Sequence, residues 1–163
     1  MGVVDSIYPS RTLVDPGDEV TFKIPIRPYR GTPYTRGFTY RVPQGMPSGM
    51  LAVYIGGANL LGAAERPVLA RQVSQADDLD QIIGLINRLR TGNRLYLKIT
   101  RRQAGAIVQS EVLPSLPPSV FSTLGFKQGA GEVTPLVETT VHEESILLDE
   151  ILVGGAAVPL RIR

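Results

Sequence analysis

The residue best suited to acid–base chemistry is His142, the only histidine in the chain, which two glutamates follow. A zinc-peptidase helix needs a second histidine four residues later, and Ile146 stands there. A Ser–His–acid triad needs only one histidine, but no serine lies in a Gly-x-Ser-x-Gly elbow. A small serine hydrolase using Ser48 and His142 is therefore the weakest of the functions considered, and we expect no catalytic residues and no enzyme activity.

Neither the acidic cluster nor the glycine-containing segment of the chain matches a ligand-binding motif. Asp77, Asp78 and Asp80 lack the glycine and distal glutamate of a calcium loop, and they suit the positive end of a helix. No Gly-Lys-Ser/Thr follows the glycines at 56, 57 and 62, so a phosphate loop is not predicted. Cysteine is absent, which excludes thiolate metal sites. We predict no cofactor and no metal.

The charge pattern limits the class of partner. The net charge is only +2 and tryptophan is absent, so we predict no nucleic-acid binding. No leader peptide is recognised at the start, and no apolar run approaches the roughly 18 residues that span a bilayer, so we predict no membrane insertion. Residues 20–64 contain no acid, and neither do residues 88–110. These basic segments either pair with acidic strands or form a face that binds an anionic glycan or cell-wall polymer through Arg27, Arg30, Lys98 and Arg101.

Short segments in which apolar and polar residues alternate predict β-strands. These strands would position the surface residues considered above. In the clearest, residues 19–27, apolar side chains occupy every second position, and Pro25 predicts a sheet edge or a local break. Residues 38–42, 51–55 and 94–100 alternate in the same way, and Ala104-Gly105 predicts a turn. Two further strands, 139–153 and 157–162, are predicted to flank a hairpin turn at Gly154-Gly155.

Two helices are predicted among the strands. Apolar residues recur at helical spacing between Asp77 and Thr91, where Gly84 indicates close packing against the sheet. A short second helix begins at Pro118 and ends at Leu124. The chain is therefore predicted to be mainly β, an immunoglobulin-like β-sandwich with one inserted amphipathic α-helix and a short second helix. We expect a single β-rich domain over residues 1–163.

Several segments resemble the C-terminal region of bacterial proteins that carry a SpoIVB-type serine-peptidase domain. The resemblance covers most of the chain, but no single segment is diagnostic. It rests on residues 11–18 (RTLVDPGD) with the strand after them, 27–31 (RPYRG), 78–81 (DLDQ) with 85–90 (LINRLR), 93–96 (NRLY) and 113–120 (LPSLPPSV).

The resemblance implies an exported, extracytoplasmic protein of the periplasm or cell envelope, of which this chain is a fragment. Its peptidase-like part would lie upstream and be absent here. Gly45-Met46-Pro47-Ser48-Gly49 is superficially similar to the setting of that family's nucleophile. Pro47 interrupts it and a second serine is missing, so we interpret these residues as a turn.

The function expected from these observations is a non-catalytic structural or protein-interaction role. The partner would be another protein or the upstream domain of the same chain. Tyrosine and arginine are enriched at protein interfaces, and large apolar side chains anchor them. The predicted interaction surface consists of Arg27, Tyr29, Arg30, Tyr34, Arg36, Leu116 and Phe121. The alternative for these side chains is that the tyrosines cover the edge of the core and that the proline-rich loop at 113–121 is packed filler.

Overall fold

The fold is mainly β, which confirms the predicted class. It is known from a computed structural model that describes residues 1–74, 79–87, 89–108, 111–113 and 134–163. The strands are β1 (Gly2–Val4), β2 (Tyr8–Pro9), β3 (Leu13–Val14), β4 (Glu19–Pro28), β5 (Tyr34–Arg41), β6 (Gly49–Gly56), β7 (Arg94–Val108), β8 (Glu111–Leu113), β9 (Thr134–Leu147) and β10 (Leu152–Ile162). The helices are α1 (Ala58–Ser74) and α2 (Leu79–Asn87).

Strand β4 follows its sequence pattern closely. Val20, Phe22, Ile24 and Ile26 are buried, while the residues between them are partly or fully exposed. On one side, β4 pairs with β5 from Glu19 to Ile26. On the other side, β2 pairs as far as Lys23 and β1 starts at Ile26, so Pro25 falls between the two neighbours. The predicted local break is confirmed, because proline lacks the amide that a ladder would require there.

Strand β10 joins the strands into one hydrogen-bonded set. Its first residues run parallel to β1, and residues 155–162 run antiparallel to β6. The hairpin turn predicted at Gly154-Gly155 is wrong, since both glycines lie inside β10. Their φ angles of 82° and 140° let the strand pass from one partner to the other at a point where backbones approach closely.

The strand order runs β5-β4-β1-β10-β6-β7-β9, with β2, β3 and β8 as short additional partners. Apolar side chains from one face of these strands form the core, among them Phe22, Ile24, Phe38, Val53, Ile55, Leu97, Ile99 and Leu160. Packed sheets can share a strand that bends from one sheet into the other, and β10 bonds to both groups of strands, so the pairing alone does not distinguish one continuous sheet from two packed sheets. The immunoglobulin-like arrangement is therefore not established by this topology.

Contacts along the chain divide it into two compact units. The first comprises residues 1–63, 91–101 and 140–163, and the second comprises 64–90 and 102–139. The second unit contains α2 and the pairing of β7 with β8, which joins Ala106–Val108 to Glu111–Leu113. Strand β7 is continuous through residue 108, so the turn predicted at Ala104-Gly105 is wrong.

Helix α2 confirms the predicted helix over most of its length, although Asp77 and Asp78 lie outside the described residues. The close packing predicted at Gly84 is wrong, because no described atom lies within 4 Å of the position that an added Cβ would occupy. The helix predicted from Pro118 to Leu124 also lies outside the described residues. Helix α1 was not predicted, since Pro67 interrupts its sequence and no apolar stripe marks one face. Neither described helix is long and apolar enough to cross a bilayer.

Candidate functional site

A cleft of about 410 Å³ opens at one end of the first unit. We call it the Tyr34 cleft. It is formed by the loop between β4 and β5, the start of β5, and the loop between β9 and β10. Its lining residues are Met1, Pro28, Arg30, Gly31, Thr32, Tyr34, Arg36, Leu148, Asp149 and Glu150.

The alternation of β5 brings Tyr34 and Arg36 to the cleft. They have the same side-chain direction as the buried Phe38 and Tyr40, so they continue the inward face of the strand, and Tyr34 packs against the edge of the core. In the register with β4, Tyr34 lies opposite Ile26, and Arg36 lies opposite Ile24. The same pleat that buries the middle of β5 therefore presents one aromatic and one cationic side chain at its exposed beginning.

The centre of the cleft is a hydrogen bond between segments far apart in sequence. The Tyr34 hydroxyl donates to Oε1 of Glu150 at 2.8 Å, and Oε2 of Glu150 lies 3.6 Å from the amino group of Met1. Burial, the hydrogen bond and the charge of Glu150 together raise the pKa of Tyr34 to about 12. Tyr34 is thus held as a neutral donor at any physiological pH.

The two cleft arginines are placed beside aromatic rings. The guanidinium carbon of Arg36 lies 5.3 Å from the centre of the Tyr34 ring, and that of Arg30 lies 6.0 Å from the Tyr29 ring. Both distances are within the range of cation–π attraction. Within the described part of the chain, neither arginine has an ion-pair partner. The Tyr29 side chain is 76% exposed.

The structure brings together three of the seven predicted interface residues, Arg30, Tyr34 and Arg36. Arg27 does not line the cleft and forms an ion pair with Asp5 at 2.7 Å. Leu116 and Phe121 lie outside the described residues. Asp149 and Glu150 were not predicted, and they complete the cleft from the other end of the chain. No local signal identifies them, because their role depends on a contact across 116 residues.

Two of the four basic residues considered for glycan binding have contacts within the chain. Arg101 donates to the backbone carbonyls of Pro47 and Ser48 at 3.1 and 3.0 Å, and so fixes the turn before β6. Together with the ion pair of Arg27, this engages two of the four residues proposed for an anionic glycan.

The hydrolase pair is not assembled in the structure. Nε2 of His142 lies 3.6 Å from Oε1 of Glu144, and the imidazole packs against the Tyr40 ring at 5.1 Å between centres. Ser48 and His142 share no hydrogen bond. Among the described residues, no group of three or more His, Cys, Asp or Glu side chains is arranged to hold a metal ion.

The lining of the Tyr34 cleft is polar and carries charges of both signs. It offers a tyrosine hydroxyl, two guanidinium groups and two carboxylates, which form directional hydrogen bonds and ion pairs. No family model matches the chain, no curated protein matches it, and no solved structure matches it.

Proposed function

We propose that this chain is a non-catalytic structural or protein-interaction domain of a bacterial cell-envelope protein, and that the Tyr34 cleft is its contact surface. The observation that carries this proposal is the convergence of Arg30, Tyr34 and Arg36 on one solvent-open cleft. The partner is either another protein or the upstream domain of the same polypeptide.

The side chains of the cleft favour a protein partner. Tyrosine and arginine dominate the energetic centres of protein interfaces, since each combines a large contact area with directional donors. The hydrogen bond from Tyr34 to Glu150 and the stacking of Arg36 on Tyr34 hold these groups in place before binding. Such pre-organisation lowers the entropy lost when a partner docks.

The cellular setting of the proposal comes from the resemblance to SpoIVB-type peptidase proteins. On that basis the domain is the tail of an extracytoplasmic protein whose peptidase-like module lies upstream. The immunoglobulin-like sandwich belongs to this proposal too, because such β domains commonly serve as binding modules.

The direct test is binding between this chain and the upstream region of its native polypeptide, produced separately and measured by calorimetry. Alanine at Arg36 and phenylalanine at Tyr34 should each weaken binding about tenfold, as expected for the loss of one well-placed polar contact. Alanine at Arg161 is the matched control, since this exposed arginine lies on β10 and does not line the cleft.

Equal binding by all three variants would exclude the cleft as the contact surface. Immunoblotting for the native gene product tests the tail assignment separately. A product much larger than 17.7 kDa supports the tail assignment, and a product of about that size contradicts it.

A second candidate is the binding of an anionic glycan or cell-wall polymer. It is favoured by the guanidinium groups of Arg30 and Arg36, which have no ion-pair partner among the described residues and line an open cleft. Such binding should weaken steeply as salt rises, because it depends on several exposed charges. A protein contact with buried aromatic area should be less sensitive to salt.

A further inference from the structure

Strand β5 lies at one end of the strand order. Within the described residues its single strand neighbour is β4, which pairs with it from Tyr34 to Arg41. Alternate backbone amide and carbonyl groups of β5 therefore point away from β4. No described backbone group outside β4 bonds to this strand.

The free edge of β5 is long and accessible. It extends over eight residues, and Thr35, Arg36, Gly37, Thr39 and Arg41 are all exposed. Proteins usually protect such edges with charged side chains, proline, bulges or very short strands, and β5 has only the first of these, in Arg36 and Arg41. The short partners β2 and β3, of two residues each, fit that expectation, but β5 contains no proline and no bulge.

The positive charge near this edge indicates the charge of the segment that would pair with it. Residues 28–41 carry Arg30, Arg36 and Arg41 and no acidic residue. Only Arg41 has an ion-pair partner among the described residues, Glu19 at 3.9 Å on the neighbouring strand. A second copy of β5 would bring further arginines to this edge and no acidic residue to pair with them, which disfavours pairing between two copies of this chain. A strand with acidic side chains would instead meet Arg30 and Arg36. The same cleft also holds two carboxylates, and one of them, that of Glu150, already accepts a hydrogen bond within the chain.

We infer that the partner binds as an additional β-strand along β5, and that it is an extended acidic segment whose carboxylates contact Arg36 and Arg30. Backbone hydrogen bonds to the edge supply affinity, and the arginines of the Tyr34 cleft supply specificity. The planar guanidinium of Arg36, held near the Tyr34 ring, suits a two-point contact with a carboxylate. This inference rests on the proposed function and adds the chemistry and geometry of the partner.

The test uses the full chain and an acetylated, amidated peptide of sequence Thr-Glu-Val-Glu-Val-Glu-Thr. Two companion peptides serve as controls, one with glutamine in place of glutamate and one methylated on alternate backbone nitrogens. Binding is followed by fluorescence anisotropy, and amide hydrogen exchange is followed residue by residue. We expect the acidic peptide to slow exchange along β5, the glutamine peptide to bind about tenfold more weakly, and the methylated peptide not to bind.

Variants connect the binding to the arginines. Arg36→Ala should weaken binding of the acidic peptide about tenfold, and Arg161→Ala should leave it unchanged. Because Arg36 is exposed, its replacement should leave the thermal midpoint unchanged, and this separates lost binding from lost folding.

Three outcomes would overturn the inference. These are unchanged exchange along β5 in saturating acidic peptide, equal binding of the methylated peptide, and no binding of the acidic peptide at its solubility limit. The proposed function would survive each of them if Arg36→Ala and Tyr34→Phe still weakened binding to the upstream region. Loss of that binding effect would remove the proposed function independently of the peptide result.

Discussion

The hydroxyl of Tyr34 donates a hydrogen bond to Glu150 at 2.8 Å, and so connects the first residue of β5 to the loop that precedes β10. The two residues are 116 positions apart. This bond orders the cleft, and its strength can be measured through the titration of the phenol.

Replacing the carboxylate should lower the pKa of Tyr34. In Glu150→Gln the pKa should fall from about 12 toward the ordinary value of 10.0, although burial keeps it from reaching that value. Tyrosinate absorbance measures this pKa, and the difference from Tyr34→Phe isolates one of the six tyrosines. Asp149→Asn is the control and should produce a smaller shift, because Asp149 makes the smallest contribution to raising this pKa. An unchanged titration in Glu150→Gln would contradict the assignment.

The same shift predicts a pH dependence of stability. The folded state holds the Tyr34 proton more tightly than the unfolded state does. The stabilisation that protonated Tyr34 gives the folded state is therefore fully present below pH 10. It is lost as the pH rises toward 12. Urea unfolding across that interval should show a steeper fall in the free energy of unfolding for the wild type than for Tyr34→Phe. Parallel curves would show that Tyr34 does not contribute.

Two tyrosine-to-phenylalanine changes should have opposite effects. The Tyr40 ring is 4% exposed, and its buried hydroxyl has no hydrogen-bond partner among the described residues. Tyr40→Phe removes an unsatisfied group and should raise the free energy of unfolding by about 1 kcal/mol, whereas Tyr34→Phe loses a bond and should lower it by about 1 kcal/mol. Urea denaturation measures both. If Tyr40→Phe were as destabilising as Tyr34→Phe, the Tyr40 hydroxyl would have to be satisfied in solution.

The glycines at the crossing of β10 should tolerate no side chain. A Cβ on Gly154 would lie 2.6 Å from the carbonyl oxygen of Val4, at a φ of 82°. Gly154→Ala should therefore destabilise the protein by about 2–3 kcal/mol or more. Gly62→Ala is the matched control in α1, where the position is open, and it should stabilise by about 0.5–1 kcal/mol. Similar thermal midpoints for the two variants would contradict the close approach.

Arg101 should prove structural. Arg101→Ala removes donors to the carbonyls of Pro47 and Ser48, and the free energy of unfolding should fall by about 1–2 kcal/mol. Amide exchange in residues 44–49 should accelerate. Arg161→Ala makes the same charge change on an exposed part of β10 and should do neither. A loss of polyanion binding in Arg101→Ala without any loss of stability would favour the glycan hypothesis instead.

A serine-directed fluorophosphonate should not label the chain. The imidazole of His142 packs against the Tyr40 ring and lies 3.6 Å from Oε1 of Glu144, and no hydrogen bond joins it to Ser48. Intact mass after incubation measures labelling, with trypsin as the positive control. Labelling that disappears in both Ser48→Ala and His142→Ala would establish a nucleophile that this geometry does not explain.

Sequence patterns predicted the elements whose side chains repeat regularly. The alternation from Val20 to Ile26 located β4 and its buried face, and helical spacing located α2. Helix α1 has no comparable stripe, and its proline argued against a helix. Gly154-Gly155 was assigned to a hairpin because paired glycines are typical of turns, whereas here they allow two backbones to meet inside a strand.

Only some of the residues of the Tyr34 cleft could be predicted from the sequence. Tyr34 and Arg36 could be selected because side-chain type alone favours them at interfaces. Glu150 could not, because only the three-dimensional fold brings its loop beside β5. Arg27 is also of a residue type favoured at interfaces, but it forms an ion pair with Asp5. That ion pair depends on the register of β1 with β4.

The gap at Pro25 also affects how the molecule fluctuates. Because β2 and β1 share one side of β4 without a continuous ladder, the opening of one need not break the hydrogen bonds of the other. Residues 8–9 are held by a two-residue pairing, while residues 2–4 are paired on both sides, with β4 and with β10. Local unfolding should therefore begin at β2 and stop at the proline, leaving the first strand and its neighbours closed.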